Sequence, residues 1–285
     1  MKYLEIPMHL SGYREGDYEP KLYAYLLDPI KDYRPAPRPA VLICPGGAYA
    51  YTSDREAEPL ALYFLAAGIP TFVLRYSVAE VSDAKFPTSL REVSLAMAYI
   101  RAHGGEWAID PQRVFVCGSS AGGHLAASLG VHWDKELVWK GAGIPFGENR
   151  PAGTILMYPV ISSGEKQHVG SFHNLMGETE TPELREFLSL EKQVGGNTPP
   201  AFLWHTFEDP SVPVENSLLY AAALAEHHIP FELHVYPRGG HGLALANELT
   251  SLGDPALVVP ECQEWVANAI RWVKSFEATG ESAGK

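Results

Sequence analysis

The stretch 113–128 restricts the fold of this chain more than any other segment does. Its residues 114–117, Val-Phe-Val-Cys, form the short apolar, β-branched run that is typical of a strand buried on both faces. A Gly-Ser-Ser-Ala-Gly turn follows at 118–122, and Leu-Ala-Ala at 125–127 opens a helix of small residues. This order predicts that Ser120 lies on a sharp strand-to-helix turn, with its Oγ exposed at the helix N-terminus as a nucleophile requires.

The G-x-S-x-G pattern occurs twice, so the surroundings decide which copy matters. The second copy, at 280–284, lies in a polar C-terminal tail over 277–285 with no strand before it. We interpret this copy as a chance match. For Ser120, the competing interpretation is a glycine-rich turn that only connects a strand and a helix, as in nucleotide-binding folds. The partners of Ser120 therefore decide between a nucleophile and a simple turn.

Two residues that follow predicted strands supply the partners that a serine nucleophile needs, a histidine base and a carboxylate that orients it. Asp209 follows the predicted strand 201–205, and His241 stands in Gly-Gly-His-Gly after the predicted strand 231–236. In an open parallel sheet, functional groups gather beyond the carboxyl ends of the strands. The chain order Ser120, Asp209, His241 is that of the α/β-hydrolases.

The choice of the acid lies between two neighbours, Glu208 and Asp209, because both come shortly after the same strand. We favour Asp209, since the shorter carboxylate loses less side-chain freedom when it is fixed and Pro210 holds the loop extended. His124 lies one helical turn after Ser120 and points away along the helix, so it is a weaker candidate for the base than His241.

Acyl transfer also needs hydrogen-bond donors for the oxyanion that develops on the substrate. One donor is the N–H of the residue after the nucleophile, here Ala121. Gly46 and Gly47 follow the predicted strand 40–44, where they can present two further N–H groups close to Ser120. The competing interpretation is a plain diglycine turn, and the presence of all three catalytic candidates argues against it.

Predicted strands alternate with predicted helices along most of the chain. This alternation favours an α/β fold with a mainly parallel central sheet and helices on both faces. The predicted strands cover 21–27, 40–44, 71–76, 114–117, 154–158, 201–205 and 231–236, and the predicted helices cover 56–67, 86–103, 215–226 and 261–276.

Two long connections, 133–150 and 161–199, fall outside that alternation. Connections of this length are usually functional covers or lids. We therefore expect a single domain over 1–285 with its core at about 20–276. The two insertions should cover the active site, and the longer one should contain a short helix near 183–190.

The composition argues against several classes of function. The net charge is −12, whereas nucleic acid and anionic membrane surfaces both require a basic surface on their partners. The N-terminus has no apolar signal segment and no apolar run approaches the length of a membrane span, so we expect a cytoplasmic protein. No H-E-x-x-H or C-x-x-C spacing occurs, so we expect no metal and no cofactor. The sequence leaves open whether the chain forms a homo-oligomer, because no self-associating surface can be identified.

Five segments together resemble the acetyl-xylan-esterase-like, carbohydrate-esterase branch of the α/β-hydrolases, over about residues 20–275. They are Pro-Gly-Gly-Ala-Tyr at 45–49, Leu-Arg-Tyr-Ser at 74–77, Cys-Gly-Ser-Ser-Ala-Gly-Gly-His at 117–124, Asp-Pro-Ser-Val-Pro at 209–213 and Gly-Gly-His-Gly at 239–242. Related esterases often begin the oxyanion loop with His-Gly-Gly-Gly. Here Pro45 stands in place of the His and Ala48 in place of the third Gly, and backbone donors can survive both changes.

The resemblance implies a serine esterase that removes acetyl or other short acyl groups from sugars, with Ser120 as nucleophile, His241 as base and Asp209 as orienting acid. Its partner would be a small-molecule ester or an acylated sugar. Two other functions stay open. A stand-alone peptidase of the α/β-hydrolase type would share the sheet and the chain order. A non-catalytic binding module with a hydrolase fold is less favoured, because a pure binder gains nothing from an intact Ser-Asp-His set.

Overall fold

A computed structural model describes residues 1–28, 36–83 and 85–276. The strands in these ranges are β1 Lys2–Pro7, β2 Lys21–Leu26, β3 Arg38–Cys44, β4 Thr71–Arg75, β5 Ile109–Ser119, β6 Thr154–Met157, β7 Ala201–Thr206 and β8 Phe231–Tyr236. Within the described ranges they form one eight-stranded sheet in the order β1-β2-β4-β3-β5-β6-β7-β8. The pairs β1–β2 and β2–β4 are antiparallel, and all the other neighbouring pairs are parallel.

Helices cover both faces of this sheet. Those described are α1 Glu58–Ala66, α2 Thr88–Ala102, α3 Gly104–Trp107, α4 Ser120–His132, α5 Glu136–Trp139, α6 Val169–Met176, α7 Pro182–Phe187, α8 Glu215–Glu226 and α9 Trp265–Ser275. Helices α2, α4 and α8 contribute to the hydrophobic core on one side of the sheet, and α1 and α9 contribute to the core on the other.

The central strands are buried on both faces, as their continuous apolar sequences predict. In β5, Val114 and Val116 belong to the first core, whereas Phe115 and Cys117 belong to the second. Successive side chains of a strand point to opposite faces, so one apolar run fills both cores. The mainly parallel sheet between two helical layers confirms the predicted α/β fold.

The sequence-based prediction differs from the structure at the ends of the chain. It missed β1, whose residues are mostly exposed because the strand lies at the edge of the sheet and carries no buried apolar run. The final helix begins at Trp265 instead of residue 261, because Pro260–Cys262 forms a separate 3-10 turn. The polar tail 277–285, with the second G-x-S-x-G copy, lies outside the described residues.

The two insertions contain more helix than the sequence predicted. The segment 133–150 carries α5, and the segment 161–199 carries both α6 and α7, of which only α7 matches the predicted helix near 183–190. Helix α6 begins after His168, whose side chain accepts from the Ser171 N–H. Histidine is not among the preferred N-cap residues, so the sequence lacked the usual start signal.

In the described part of the chain, no helix combines the length and the apolar character that a membrane crossing requires. The assignment of 1–285 to a single domain stays a prediction.

Candidate active site

Ser120 lies at the junction of β5 and α4 with a φ of +53°, in the left-handed region that non-glycine residues rarely adopt. The glycines on either side make room for this turn. A Cβ on Gly118 would overlap the backbone of Gly122, and a Cβ on Gly122 would overlap the carbonyl oxygen of Cys44. The G-x-S-x-G spacing therefore produces the strained strand-to-helix turn that it predicts.

The structure brings Ser120, His241 and Asp209 together in one hydrogen-bonded chain. His241 Nε2 lies 2.8 Å from Ser120 Oγ, and His241 Nδ1 lies 2.6 Å from Asp209 Oδ2. A carboxylate oxygen can only accept, so Nδ1 carries the proton and Nε2 is free to accept from the serine hydroxyl. This arrangement can activate a serine for nucleophilic attack.

The Asp209 side chain is held by four donors. Its Oδ1 accepts from the N–H groups of Ser211 and Val212, each at 2.9 Å, and its Oδ2 faces His241 and His205. Burial acts to raise the pKa of this carboxyl, but the hydrogen bonds from His205 and His241 outweigh burial and hold the pKa below its ordinary value. The neighbouring Glu208 is exposed and has no hydrogen bond among the described residues.

His205 is a positioning residue that the sequence analysis did not identify. Its Nε2 lies 2.9 Å from the Val212 carbonyl oxygen and 3.3 Å from Asp209 Oδ2, and its Nδ1 lies 2.8 Å from Ser217 Oγ. Both neighbours of Nε2 can only accept, so Nε2 carries the proton and stabilises the carboxylate. A histidine that ends a strand four residues before a predicted acid is the sequence signal for this role.

The three predicted oxyanion donors have different surroundings in the structure. The N–H of Gly46 donates to Glu56 Oε2 at 2.9 Å and to Ser119 Oγ at 3.1 Å. The Gly47 N–H has no acceptor among the residues that the structure describes. Ala121 is the second residue of α4, and the first N–H groups of a helix have no acceptor within it. Gly46 therefore differs from the expectation: its N–H fixes the loop, whereas the other two amides remain available.

Glu56 and Tyr158 form a buried pair beside His241, and neither was singled out from the sequence. The Tyr158 hydroxyl donates to Glu56 Oε1 at 2.6 Å and accepts from the N–H of Ala244 at 3.0 Å. The Tyr158 ring packs edge-on against the His241 ring at 5.1 Å. Burial raises the pKa of Tyr158 well above its ordinary value, so the hydroxyl stays protonated. The pair therefore connects the loop of Gly46, which Glu56 contacts, to the loop after His241, which Tyr158 contacts at Ala244.

A cavity of 190 Å³ opens over Ser120 and His241. Its wall includes Ser120 and His241 together with Gly47, Ala48, Tyr51, Arg55, His168 and Ser211. A larger groove of 530 Å³, next to β2 and α2, contains none of the three catalytic candidates. Within the described ranges, no group of three histidine, cysteine or acidic side chains is placed to hold a metal ion.

The fold and the site together define an α/β-hydrolase. The serine follows β5, the acid follows β7 and the histidine follows β8, all beyond the carboxyl ends of parallel strands.

Comparisons with known proteins narrow this class to a family. A family model described as BD-FAE matches residues 29–148. The chain is 36% identical to the acetyl ester-xyloside bifunctional hydrolase from Caldicellulosiruptor lactoaceticus, with a TM-score of 0.81 over 95% of this chain and 96% of that one. It is 30% identical to the carboxylesterase Cest-2923 from Lactobacillus plantarum, with a TM-score of 0.83 over 96% and 97%.

Two curated relatives are considerably longer than this chain. Endo-1,4-beta-xylanase B from Butyrivibrio fibrisolvens is 42% identical over 233 residues, which are 80% of this chain and 35% of that protein. An acetylxylan esterase from Xylanibacter ruminicola is 30% identical over 209 residues, which are 71% of this chain and 40% of that protein. The chain thus spans well under half the length of both. It belongs to the acetylxylan-esterase-like family of the α/β-hydrolases.

Proposed function

We propose that this chain is a serine carboxylic ester hydrolase that removes acetyl or other short acyl groups from carbohydrates. The observation that carries the proposal is the hydrogen-bonded chain from Ser120 Oγ through His241 to Asp209, at the edge of a cavity. The substrate class is supported by two similar proteins, which are named an acetylxylan esterase and an acetyl ester-xyloside hydrolase.

In the first half of the reaction, Ser120 Oγ attacks the ester carbonyl while His241 Nε2 takes the serine proton. Asp209 keeps the proton of His241 on Nδ1 and stabilises the imidazolium that forms. When the tetrahedral intermediate breaks down, His241 returns the proton to the leaving alcohol, and the acyl group stays on Ser120. A water molecule, activated by the same histidine, then releases the acid.

The oxyanion is held by the N–H groups of Gly47 and Ala121 in this proposal. Ala48 lines the same cavity, and its N–H also has no acceptor in the described part of the chain, which makes it a third donor. Ala48 has a φ of +56°, so the loop turns sharply at this point. Gly46 does not contact the oxyanion in this proposal. Its N–H donates to Glu56, and this hydrogen bond fixes the loop that presents the other amides.

The size of the cavity supports a short acyl group. Its volume is 190 Å³, whereas pockets for drug-sized ligands measure roughly 300–1,000 Å³. An acetyl or propionyl group is small enough for such a space. Every group that the proposed mechanism uses belongs to this chain, so we propose no cofactor.

A hydrolysis panel tests the proposal. It compares p-nitrophenyl esters from acetate to decanoate with acetylated xylose and with the p-nitroanilide of acetic acid. We expect kcat/KM to be highest for acetate or propionate, to fall steeply with longer chains, and to be far higher for esters than for the amide. Amide cleavage at a comparable rate would favour a peptidase, and no hydrolysis of any compound would favour a binding module.

A further inference from the structure

His168 lines the cavity over Ser120, and the proposed mechanism gives it no role. It precedes α6 as the N-cap residue, is half-buried, and lines the same cavity as Ser120 and His241. One side-chain hydrogen bond and one buried side chain fix the helix that carries it. Asn174 Nδ2 donates to the Ala48 carbonyl oxygen at 2.9 Å, which ties α6 to the oxyanion loop, and Phe172 is buried in the core. The backbone N–H and the hydroxyl of Ser171 both contact Nδ1 of the His168 ring.

The hydrogen bonds to His168 determine which ring nitrogen carries the proton. The N–H of Ser171 donates to His168 Nδ1 at 3.2 Å, and Ser171 Oγ lies 2.9 Å from the same atom. A backbone N–H can only donate, so Nδ1 accepts and the proton of the neutral ring is on Nε2. Burial lowers the pKa of His168, and the charge of His241 lowers it further, which favours this neutral form. Nε2 has no hydrogen-bond partner among the described residues, so it is a free donor.

The position of His168 indicates which part of the substrate it meets. In the proposed mechanism His241 protonates the leaving alcohol, so the alcohol part of the ester must lie next to His241. His168 and His241 line the same small cavity of 190 Å³, so a group bound next to His241 shares that cavity with His168. The oxyanion amides of Gly47 and Ala121 instead face the carbonyl oxygen. We therefore assign His168 to the alcohol side of the cavity.

We propose that His168 is a specificity residue for hydroxylated alcohols: its Nε2–H donates a hydrogen bond to a second oxygen of the alcohol, beyond the ester oxygen. In a monosaccharide ester that oxygen is a neighbouring hydroxyl or the ring oxygen. The inference rests on the proposed esterase function and adds the residue that recognises the sugar. A donor on a helix that is fixed to the oxyanion loop is suited to this role, because its position does not depend on a mobile loop.

The test compares three acetate esters that differ on the alcohol side. A methyl xyloside acetylated at one position has a second oxygen beside the ester, cyclohexyl acetate has a ring of the same size without one, and p-nitrophenyl acetate has an activated leaving group. The variant is His168→Asn, because Asn is a preferred N-cap residue and keeps an acceptor for the Ser171 N–H while it removes the Nε2 donor. His173→Asn is the matched control, since His173 is exposed on the same helix and does not line the cavity.

We expect His168→Asn to lower kcat/KM for the acetylated xyloside tenfold or more and to change the values for the other two esters by less than about threefold. His173→Asn should leave all three unchanged. Equal losses on all three esters would overturn the inference, because they would mean that His168 only supports the site. No loss on any ester would overturn it as well, because His168 would then make no substrate contact.

Two further observations separate failure of the inference from other failures. His168→Ser also supplies a capping oxygen, so it should reproduce the selective loss if His168→Asn folds poorly. Both variants should melt within a few degrees of the wild type. If the wild type hydrolyses none of the three esters, the proposed function itself is wrong and the inference falls with it. If the wild type hydrolyses all three and the variants keep the same selectivity, only the inference is wrong.

Discussion

At the residue scale, the site depends on which polar atoms have partners and which do not. The triad candidates were identified from sequence because Ser120, Asp209 and His241 each stand in a short sequence pattern, and the reaction requires that residue type at that place. Glu56 and Tyr158 were not, because a glutamate and a tyrosine 102 positions apart carry no local signal that they will meet. Long-range pairing of single polar side chains is decided by the packing of the whole sheet, which a linear pattern does not contain.

Asp209→Asn should lower kcat by roughly 10⁴-fold, because the amide cannot hold the histidine tautomer or stabilise the imidazolium as a carboxylate does. Glu208→Gln is the matched control and should stay near the wild-type rate, since Glu208 is exposed and has no partner among the described residues. Steady-state kinetics on p-nitrophenyl acetate give both values, and melting curves within a few degrees of each other exclude unfolding as the cause. If Glu208→Gln shows the loss instead, Glu208 is the acid.

Tyr158→Phe should destabilise the protein by about 1–3 kcal/mol, because it leaves Glu56 Oε1 and the Ala244 N–H buried without a partner. Tyr220→Phe is the control, since the Tyr220 hydroxyl is also buried but has no hydrogen-bond partner in the described structure. Its loss should be neutral or slightly stabilising. Urea unfolding measures both free energies, and an equal loss in the two variants would contradict the role of the Glu56–Tyr158 pair.

At the scale of elements, the long periodic segments were predicted well and the insertions poorly. The bounds of α8 and β8 agree with the prediction, because each has a clear apolar pattern and a clear end. Helix α6 was missed, since it is short and depends on contacts with the rest of the molecule. Buried histidines of α4 contact another part of the same insertion, the end of α7. His124 Nε2 donates to the Leu188 carbonyl oxygen and His132 Nε2 to that of Phe187, so both connect α4 to the insertion.

Burial of these two histidines should make stability depend on pH. Burial lowers the pKa of His132 from its ordinary 6.5 to about 3, so the unfolded chain binds a proton that the folded one does not between these values. The stabilisation is complete above pH 6.5 and is lost as the pH falls. Burial also lowers the pKa of His124, to about 4, which acts in the same direction. Burial raises the pKa of Glu92 to about 7, which acts in the opposite direction, so wild-type curves alone do not isolate the histidines.

His132→Gln isolates one of these groups. Between pH 4 and 6, the free energy of unfolding of this variant should change with pH less steeply than that of the wild type. The difference should be about 1.4 kcal/mol per pH unit, because one proton fewer is taken up on unfolding. Urea titrations at several pH values provide the slopes. His227→Gln, at the exposed C-terminal end of α8, serves as control, and identical slopes for His132→Gln and the wild type would contradict the argument.

At the scale of the whole molecule, the sheet positions three distant parts of the sequence at one edge. Strands β5, β7 and β8 are parallel to their neighbours, so the residues that follow them meet although they are up to 121 positions apart. The alternation of strands and helices was sufficient to predict that the residues after these strands lie close together. The interaction of Gly46 with Glu56 was not predictable, because it depends on how the 3-10 turn Asp54–Glu56 folds back against the end of β3. The cytoplasmic location stays a prediction.

The most direct test of the central claim is the labelling of the nucleophile. A fluorophosphonate reacts with a serine only where a base and oxyanion donors activate it. Treatment of the protein followed by peptide mass spectrometry should find one equivalent on Ser120, with esterase activity lost in proportion to labelling. Ser120→Ala should neither label nor hydrolyse p-nitrophenyl acetate. Ser282→Ala, in the second G-x-S-x-G copy, should do both like the wild type. Label on another serine, or full activity in Ser120→Ala, would contradict the account.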